Sequence, residues 1–529
     1  MLTEKEVRSQ KVNKMREMGI NPYPAKANMT HSIKDALDNF DAFSSAGTGI
    51  ILAGRIRGIR LHGKAIFSDI EDESGKLQIF LRQDEVDGNA DEWRELNFKR
   101  HSDPANAGEE SPGARHYPRD SSAPLALQND AAIISPFQFF KEFFDMGDFI
   151  EVHGILFKTK QNANALQVRN FRMLAKALVS IPTDHFGIKD EEERLRKRYL
   201  DILANPEVKE MFYKKAKFWQ SVREFLMEKG FLEVETPVLE NTTGGADAKP
   251  FITRHNALDM DVYLRISMGE LWQKRLMVAG YEKTFEIGRQ FRNEGMDAEH
   301  LQDYTQMEFY WAYADYKMGM ELVEEMFKYV IGSTFGTLQF KIRGFDVDLG
   351  KAWEVYDYRE TVKKYTGVDI SDANLKEIEK KLKELKIEYD KKGFNITRGI
   401  DNLWKYCRKQ IGGPGFLINE PIAVSPLAKK DENNPRVVQR YHIIIAGSEL
   451  ANGYSELNDP KDQSERFAEQ SRLREAGDEE AQMFDGEFVE ALEYGMPPTT
   501  GLGFSERVFA FFMDKPMRDC QMFPLMKPR

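Results

Sequence analysis

The chain has 529 residues, with 75 Lys and Arg against 86 Asp and Glu, a formal net charge of −11. At roughly 100–200 residues per domain that length predicts about three or four units, and 30% charged beside 41% hydrophobic residues excludes whole-chain disorder. Two cysteines, Cys407 and Cys520, exclude a disulfide framework and a cysteine-based metal cluster. The opening MLTEKEVRSQ has no apolar core, and no apolar run nears the length of about 18 residues that spans a bilayer, so a cytoplasmic chain with no membrane partner is predicted. The acid excess argues against a general coat for DNA but leaves local basic patches open.

Residues 1–48 read as a helical extension. Its first helix, over 1–18, sets Lys5, Arg8, Lys11, Lys14 and Arg16 against Glu4, Glu6 and Glu17. A solvated helix and a basic face for a polyanion both fit that run. Residues 49–180 read as a small barrel of the oligonucleotide-binding (OB) type. IILAGRIRGIRLHG, KAIFSDIEDESG, KLQIFLRQDE, DFIEVHGILFKT and LQVRNFRML alternate apolar and polar residues between Gly- and Asp-rich breaks. An interruption at about 101–136 carries Pro104, Pro112, Pro118, Pro124 and Pro136 without helical or strand period, and reads as a long, partly disordered surface insertion.

From about residue 181 the texture changes. Asn205-Pro206-Glu207 predicts a capped helix start, Val208, Met211, Phe212, Trp219, Val222 and Leu226 follow at helical spacing, and Gly230 ends the helix. FLEVETPVL is then a strand closing on Pro237. Helices and strands intermix to Arg529 without regular βα alternation, so the fold class is α+β: a large antiparallel sheet flanked by helices over 181–529. A charged helical insertion at about 360–400, centred on SDANLKEIEKKLKELKIEYDKK, interrupts it.

FEIGRQFRNEG reads as a strand that delivers Arg292 and Glu294 to one face; alone, that pair also fits a cross-strand salt bridge. HLQDYTQMEFYWAYADY holds His300, Tyr304 and, at strand spacing, Glu308 and Tyr310. SELANGYSELND holds Glu449, Asn452, Tyr454 and Glu456. PPTTGLGFSERVFAFF sets a glycine-rich turn before Arg507, which suits a nucleotide approached closely by backbone.

In this order and spacing the segments resemble the three motifs of class II aminoacyl-tRNA synthetases. The likeness is closest to the lysyl-tRNA synthetase family, through GGADAKPF, HNALDMDVYLRIS, QFRNEG, WAYADY, NGYSELND and RKRYLDIL. The resemblance covers nearly the whole chain except residues 101–136. It implies ATP-dependent activation of L-lysine, transfer to tRNA(Lys), a magnesium cofactor and a homodimer built on the first motif's helix. By resemblance Arg292 holds the α-phosphate, Glu294 the adenine amine, Tyr304 and Arg507 the two adenine faces, His300 the phosphates, and Glu449 the metal and ATP. Gly244, Gly245 and Ala246 would form a loop closing over the substrate's α-amino group. Glu270, Glu308 and Glu456, with Tyr310, Asn452 and Tyr454, would make the lysine pocket. Acids are what a cationic substrate requires, and the matching segments offer no Lys or Arg besides the ATP arginines. An aspartyl-type enzyme, which must bury such a cation, and a protein-lysylating relative, which lacks an anticodon barrel, are the alternatives. In the barrel Arg60, Phe67 and Gln78 would read the anticodon, of the UUU type, although Phe67 also fits barrel core.

The chain departs from the family pattern at His442, where a second metal-binding acid is usual. It also departs at Met268-Gly269, in the shortened GLGFSER, and at Glu299, which replaces a basic residue and is expected to weaken attraction for the triphosphate.

Overall fold

The structure is a computed structural model that describes residues 2–98, 134–181, 189–246, 248–295, 297–389, 394–422, 427–475 and 482–529. The chain divides into two compact units, Met1–Gly187 and Ile188–Arg529.

In the first unit five strands close a barrel in the order β1-β2-β3-β5-β4. They are β1 (Gly49–His62), β2 (Ala65–Glu71), β3 (Lys76–Arg82), β4 (Phe149–Lys158) and β5 (Asn164–Ala175). Every neighbour pair is antiparallel except β3 with β5. The alternation read from the sequence is the alternation of the barrel wall: Ile66 and Ile70 on β2 and Leu77, Ile79 and Leu81 on β3 point inward and are buried, while residues between them are partly exposed. A helix over Pro136–Phe143 sends Phe137, Phe139, Phe140 and Phe143 into the same core. Pro136 is therefore the first residue of a packed helix rather than the end of a surface insertion; residues 99–133, which hold the rest of that insertion, lie outside the described residues.

The first helix spans Glu4–Glu17 and is neither freely solvated nor a bare basic face. Val12 and Met15 join the barrel core, and Arg8 is 7% exposed, its guanidinium donating to the carbonyls of Met146 and Ala177 at 3.1 Å each. Lys11 pairs with Asp145 at 2.8 Å. Lys14 faces Glu142 at 3.7 Å, so three of the five cations are tied to the barrel unit.

The second unit adds, in chain order, β6 (Leu232–Glu233), β7 (Leu239–Glu240), β8 (Ile252–His255), β9 (Met260–Leu264), β10 (Lys283–Phe291), β11 (Asp303–Ala312), β12 (Gln339–Ile342), β13 (Phe345–Asp348), β14 (Glu354–Asp357), β15 (Gly415–Ile418), β16 (Arg440–Ile445), β17 (Ser448–Ser455) and β18 (Thr499–Ser505). Eight of them form the main sheet, in the order β14-β15-β16-β17-β18-β11-β10-β6. Only its outer pairs, β14 with β15 and β10 with β6, are parallel. FLEVETPVL is therefore not one strand but two short ones, β6 and β7, in different sheets.

The helix Pro206–Glu228 carries its proline in the first turn, yet the Asn205 side chain caps nothing; its amide donates to Asp201 at 2.7 Å instead. This helix and Tyr316–Phe335 pack Phe218, Val222, Val323 and Met326 against one face of the sheet, where Phe285, Met307, Phe309, Leu502 and Phe504 meet them. Period-2 alternation sends the intervening residues to the other face. The predicted helical insertion comprises Tyr358–Thr366, Leu375–Glu384 and Ile396–Arg408, which share a core with Leu417 of β15 and Ile444 of β16.

Candidate active site

On the face away from those helices, adjacent strands set functional residues in register. Glu308 and Tyr310 of β11 stand opposite Gly503 and Gly501 of β18, which stand opposite Asn452 and Tyr454 of β17. Glu449 lies three residues before Asn452, an interval that would normally turn it to the opposite face. A bulge in β17, where Ile443 and Ile444 of β16 face Ala451 and Glu449, absorbs the extra residue Leu450, and the Glu449 and Asn452 side chains line one cavity of about 400 Å³. Gly501 and Gly503 lie inside β18, not in a turn as their spacing suggested. A Cβ on Gly501 would stand 2.4 Å from Glu456 Oε1 and 2.7 Å from Tyr310 Cε1, so the glycine clears room for the acidic pocket.

The three acids predicted to converge do so. Glu308 accepts from the Met268 backbone N–H at 3.0 Å, Gln306 Nε2 at 2.6 Å and the Tyr310 hydroxyl at 2.9 Å. Glu270 opens the helix Glu270–Val278 and accepts from the Tyr454 hydroxyl at 2.5 Å. Glu456 follows β17. Between Glu270 and Glu456 stands a residue the sequence reading missed: Lys274 Nζ lies 2.6 Å from Glu270 and 2.5 Å from Glu456, with side chains 1%, 5% and 1% exposed. The expectation that no cation besides the ATP arginines would enter this pocket is thereby corrected. Its only forecast was the i,i+4 spacing of Glu270 and Lys274, which ordinarily marks a solvated helix face.

With the carboxylates ionised, three acids and one ammonium leave a charge of −2 (1 − 3). Burial, then the nearby Glu270 charge, pushes the Glu308 carboxyl up to about 7. Burial raises Glu456 as well, opposed by Lys274, and the two acids raise Lys274 against its own burial. Gly245 (φ 86°) closes the pocket from above; a Cβ there would meet Ser267 Oγ at 2.6 Å. Ala246 lines the same cavity. Asn452 accepts from Arg440 at 3.2 Å, and Arg440 pairs with Glu420 at 3.1 Å.

At the other end of the cavity, β10 stops at Phe291, so Arg292 and Glu294 do not share a strand face. The chain leaves the ladder at Asn293, whose N–H turns to the Lys249 carbonyl at 2.7 Å. Arg292 sits 6.0 Å from the Tyr304 ring centroid and lines the cavity, while Glu294 accepts from the Lys249 N–H at 3.3 Å outside it. Tyr304 is 9% exposed. His300 lines the cavity and holds Asp297 at 2.8 Å. Arg507 pairs with Glu299, and so does Arg343 at 2.7 Å. Glu299, expected to weaken attraction for the triphosphate, is ion-paired to the arginine of the third motif.

Glu449 is held by the Trp404 indole and by Arg408 at 3.0 Å, both from the inserted helices. The His442 charge, then Arg408 and the indole bond, outweigh burial and hold its carboxyl below the usual range. His442 Nε2 is 3.3 Å from Glu420. Among the described residues no group of three His, Cys, Asp or Glu is arranged to hold a metal by itself.

The barrel carries its own candidate surface. Arg60 is in register with Phe67, Phe67 with Phe80, and Asp69 with Gln78. All three predicted residues fall on outward positions, so Phe67 is not core; its ring lies 4.6 Å from that of Phe80. Arg60 pairs with Asp69 at 3.1 Å.

The family described as "tRNA synthetases class II (D, K and N)" matches residues 190–527. The lysine–tRNA ligase of Thermoanaerobacter sp. (strain X514) is 41% identical over 533 aligned residues, covering 99% of this chain and 96% of the relative. That of Thermotoga maritima is 39% identical, covering 100% and 97%, and that of Carboxydothermus hydrogenoformans 38%, covering 99% and 98%. With an acidic pocket, three cavity arginines and a closed N-terminal barrel already in place, these likenesses show that the chain belongs to the class II aminoacyl-tRNA synthetases of the D, K and N group, within the lysine–tRNA ligase family.

Proposed function

We propose that this chain joins L-lysine to tRNA(Lys) in two steps, activating the amino acid with ATP and passing it to the 3′-terminal ribose. The observation that carries the choice of lysine is the cluster of Glu270, Glu308 and Glu456. Lys274 is a cation of the kind an aspartyl enzyme needs, but it is already shared by two protein carboxylates, and the residual −2 suits a substrate with two ammonium groups. The lysine carboxylate attacks the α-phosphorus of ATP, the bond to the bridging oxygen breaks, and diphosphate leaves. The ribose hydroxyl then attacks the adenylate carbonyl and AMP departs. Positioning and charge do the work: Arg292 takes the α-phosphate, Tyr304 and Arg507 flank the adenine, Glu294 turns in from its Lys249 contact to the exocyclic amine, and His300 meets the phosphates. Asn452, Tyr310 and Tyr454 orient the amino acid under the Gly245–Ala246 loop.

Glu449 fits magnesium, as an ionised, partly buried carboxylate beside the phosphate site, and magnesium commonly takes one or two carboxylates plus substrate phosphates. The ion would screen phosphate charge. His442 supplies no second oxygen. A homodimer is supported by exposed apolar residues on and just after the first motif's helix: Tyr213, Met227, Leu232, Val238 and Leu239. Arg60, Phe67 and Gln78 present stacking and donor groups for an anticodon. No helix of the described residues is long and apolar enough to cross a membrane, and both cysteines are free and buried, consistent with a cytoplasmic enzyme.

Lysine-dependent exchange of diphosphate into ATP, run against a panel of amino acids, tests the reading; exchange with aspartate but not lysine overturns it. Charging of tRNA with a UUU anticodon is expected to fall in Phe67→Ala by about five- to a hundred-fold in kcat/KM, from about 1–3 kcal/mol of base stacking. Unchanged charging removes Phe67 from the anticodon surface.

A further inference from the structure

Glu299 stands where the nucleotide end of the cavity meets a second cavity of about 170 Å³. Its carboxylate is shared by two guanidinium groups from distant parts of the chain. Arg343 comes from the turn between β12 and β13 and donates Nη2 at 2.7 Å; Arg507 comes from the residues just after β18. Both arginines line the second cavity, with Lys515. Arg343 is otherwise fixed by Ser448 at 2.7 Å and by stacking over Phe511, and Arg408 adds a third positive charge acting on Arg507. Three arginines against Glu299 and Glu449 make a cluster of +1 (3 − 2), and +2 once Glu299 departs. Planar guanidinium forks of that net sign suit phosphate oxygens. Glu299 itself belongs to the loop between β10 and β11, its N–H resting on Asp297 at 2.7 Å, so its side chain can swing away without breaking the sheet ladder.

We propose that Glu299 is an internal counter-ion that occupies Arg343 and Arg507 in the empty enzyme and is displaced by the terminal phosphates of ATP, and by diphosphate on its way out. It is a positioning residue: it contacts no reacting atom, and it sets how tightly the polyphosphate tail is held. The inference rests on the reading that ATP binds at Arg292 and Arg507. AMP lacks the terminal phosphates that displace Glu299 and meets Arg507 only at the adenine face, so it responds less to Glu299 than ATP does.

The test is the exchange assay on full-length parent, Glu299→Gln and Glu299→Asp. Removing a half-exposed carboxylate from two arginines is expected to lower the ATP KM and the diphosphate KM by about five-fold in the Gln variant. Inhibition by AMP changes less than the ATP KM, the lysine KM stays unchanged, and Asp, which keeps the charge, stays close to the parent. An ATP KM that is unchanged or raised in Glu299→Gln overturns the proposal, as does an equal change for ATP and AMP, which a general loosening of the loop would produce. A parent chain without lysine-dependent exchange overturns the nucleotide reading itself, a failure visible before any variant is compared.

Discussion

The two ends of one cavity solve the same electrostatic problem in opposite ways. At the amino-acid end, Lys274 and its two carboxylates are 1–5% exposed, Glu270 held by the Tyr454 hydroxyl, with Glu308 beside them fixed by the Tyr310 hydroxyl and the Met268 N–H. At the nucleotide end, Arg507 and Glu299 are 21% and 31% exposed and belong to a loop and a short helix. A buried ion pair is weakly stabilising as a whole but very costly to break, because the survivor stays buried and unpaired; an exposed pair costs little either way. The acid end is therefore built before substrate arrives, while the arginine end is held in reserve by a removable partner.

Removing each cation gives the sharpest contrast. Lys274→Met is expected to lower unfolding stability by about 3–5 kcal/mol, since it leaves Glu270 and Glu456 facing each other in the interior. Arg507→Met should cost no more than about 1 kcal/mol of stability while abolishing exchange. Urea denaturation of both variants decides the matter. Equal losses would mean that burial does not separate the two ends.

A step smaller is Glu308→Gln. The amide keeps the shape but removes a negative charge that faces the substrate ammonium, so the lysine KM is expected to rise about ten- to a hundred-fold, from about 1.5–3 kcal/mol for a bond to a charged group. The ATP KM should move little. Equal rises in both would take Glu308 out of the amino-acid pocket and dissolve the division between the ends.

Much of this division was legible in the sequence, and the exceptions share a cause. Glu308 and Tyr310 fall on one face because a strand's period is two, and Ile66, Ile70, Leu77 and Ile79 revealed the barrel wall for the same reason. What stayed hidden were pairings between residues far apart in the chain. Lys274 looks like half of an i,i+4 surface pair, and only the arrival of Glu456, 182 positions on (456 − 274), turns it into a buried bridge. Arg8 counted as a solvated cation until two carbonyls beyond residue 140 closed on it. Trp404 and Arg408 sit in a stretch that reads as an insertion, yet they hold Glu449. Arg292 and Glu294 were misplaced on a strand because alternation continued past Phe291, where Lys249 captures the backbone at Asn293.

The smallest expected effect concerns pH, and it probes whether the acid end is truly prebuilt. In the empty cavity the Glu308 carboxyl is pushed up to about 7 by burial and by Glu270. A carboxyl whose folded value lies above its unfolded one contributes stability that is full below the unfolded value of 4.5 and is lost as pH rises through about 7. The empty enzyme should therefore melt at lower temperature at pH 8 than at pH 6. Glu240, raised to about 7 by burial despite its Trp272 bond, shares that trend. Lysine reverses it at the pocket carboxyls Glu308 and Glu456, both raised by burial, because a substrate ammonium favours the ionised carboxylate and expels its proton. The thermal shift produced by saturating lysine should thus be larger at pH 8 than at pH 6, by about 1 kcal/mol for one displaced proton. In Glu308→Gln the Glu240 slope should remain while the pH dependence of the lysine shift falls to what Glu456 contributes. A lysine shift that is equal at the two pH values in the parent would mean that Glu308 is already ionised when empty, so that the pocket's charge, and not only its shape, stands complete before the substrate enters.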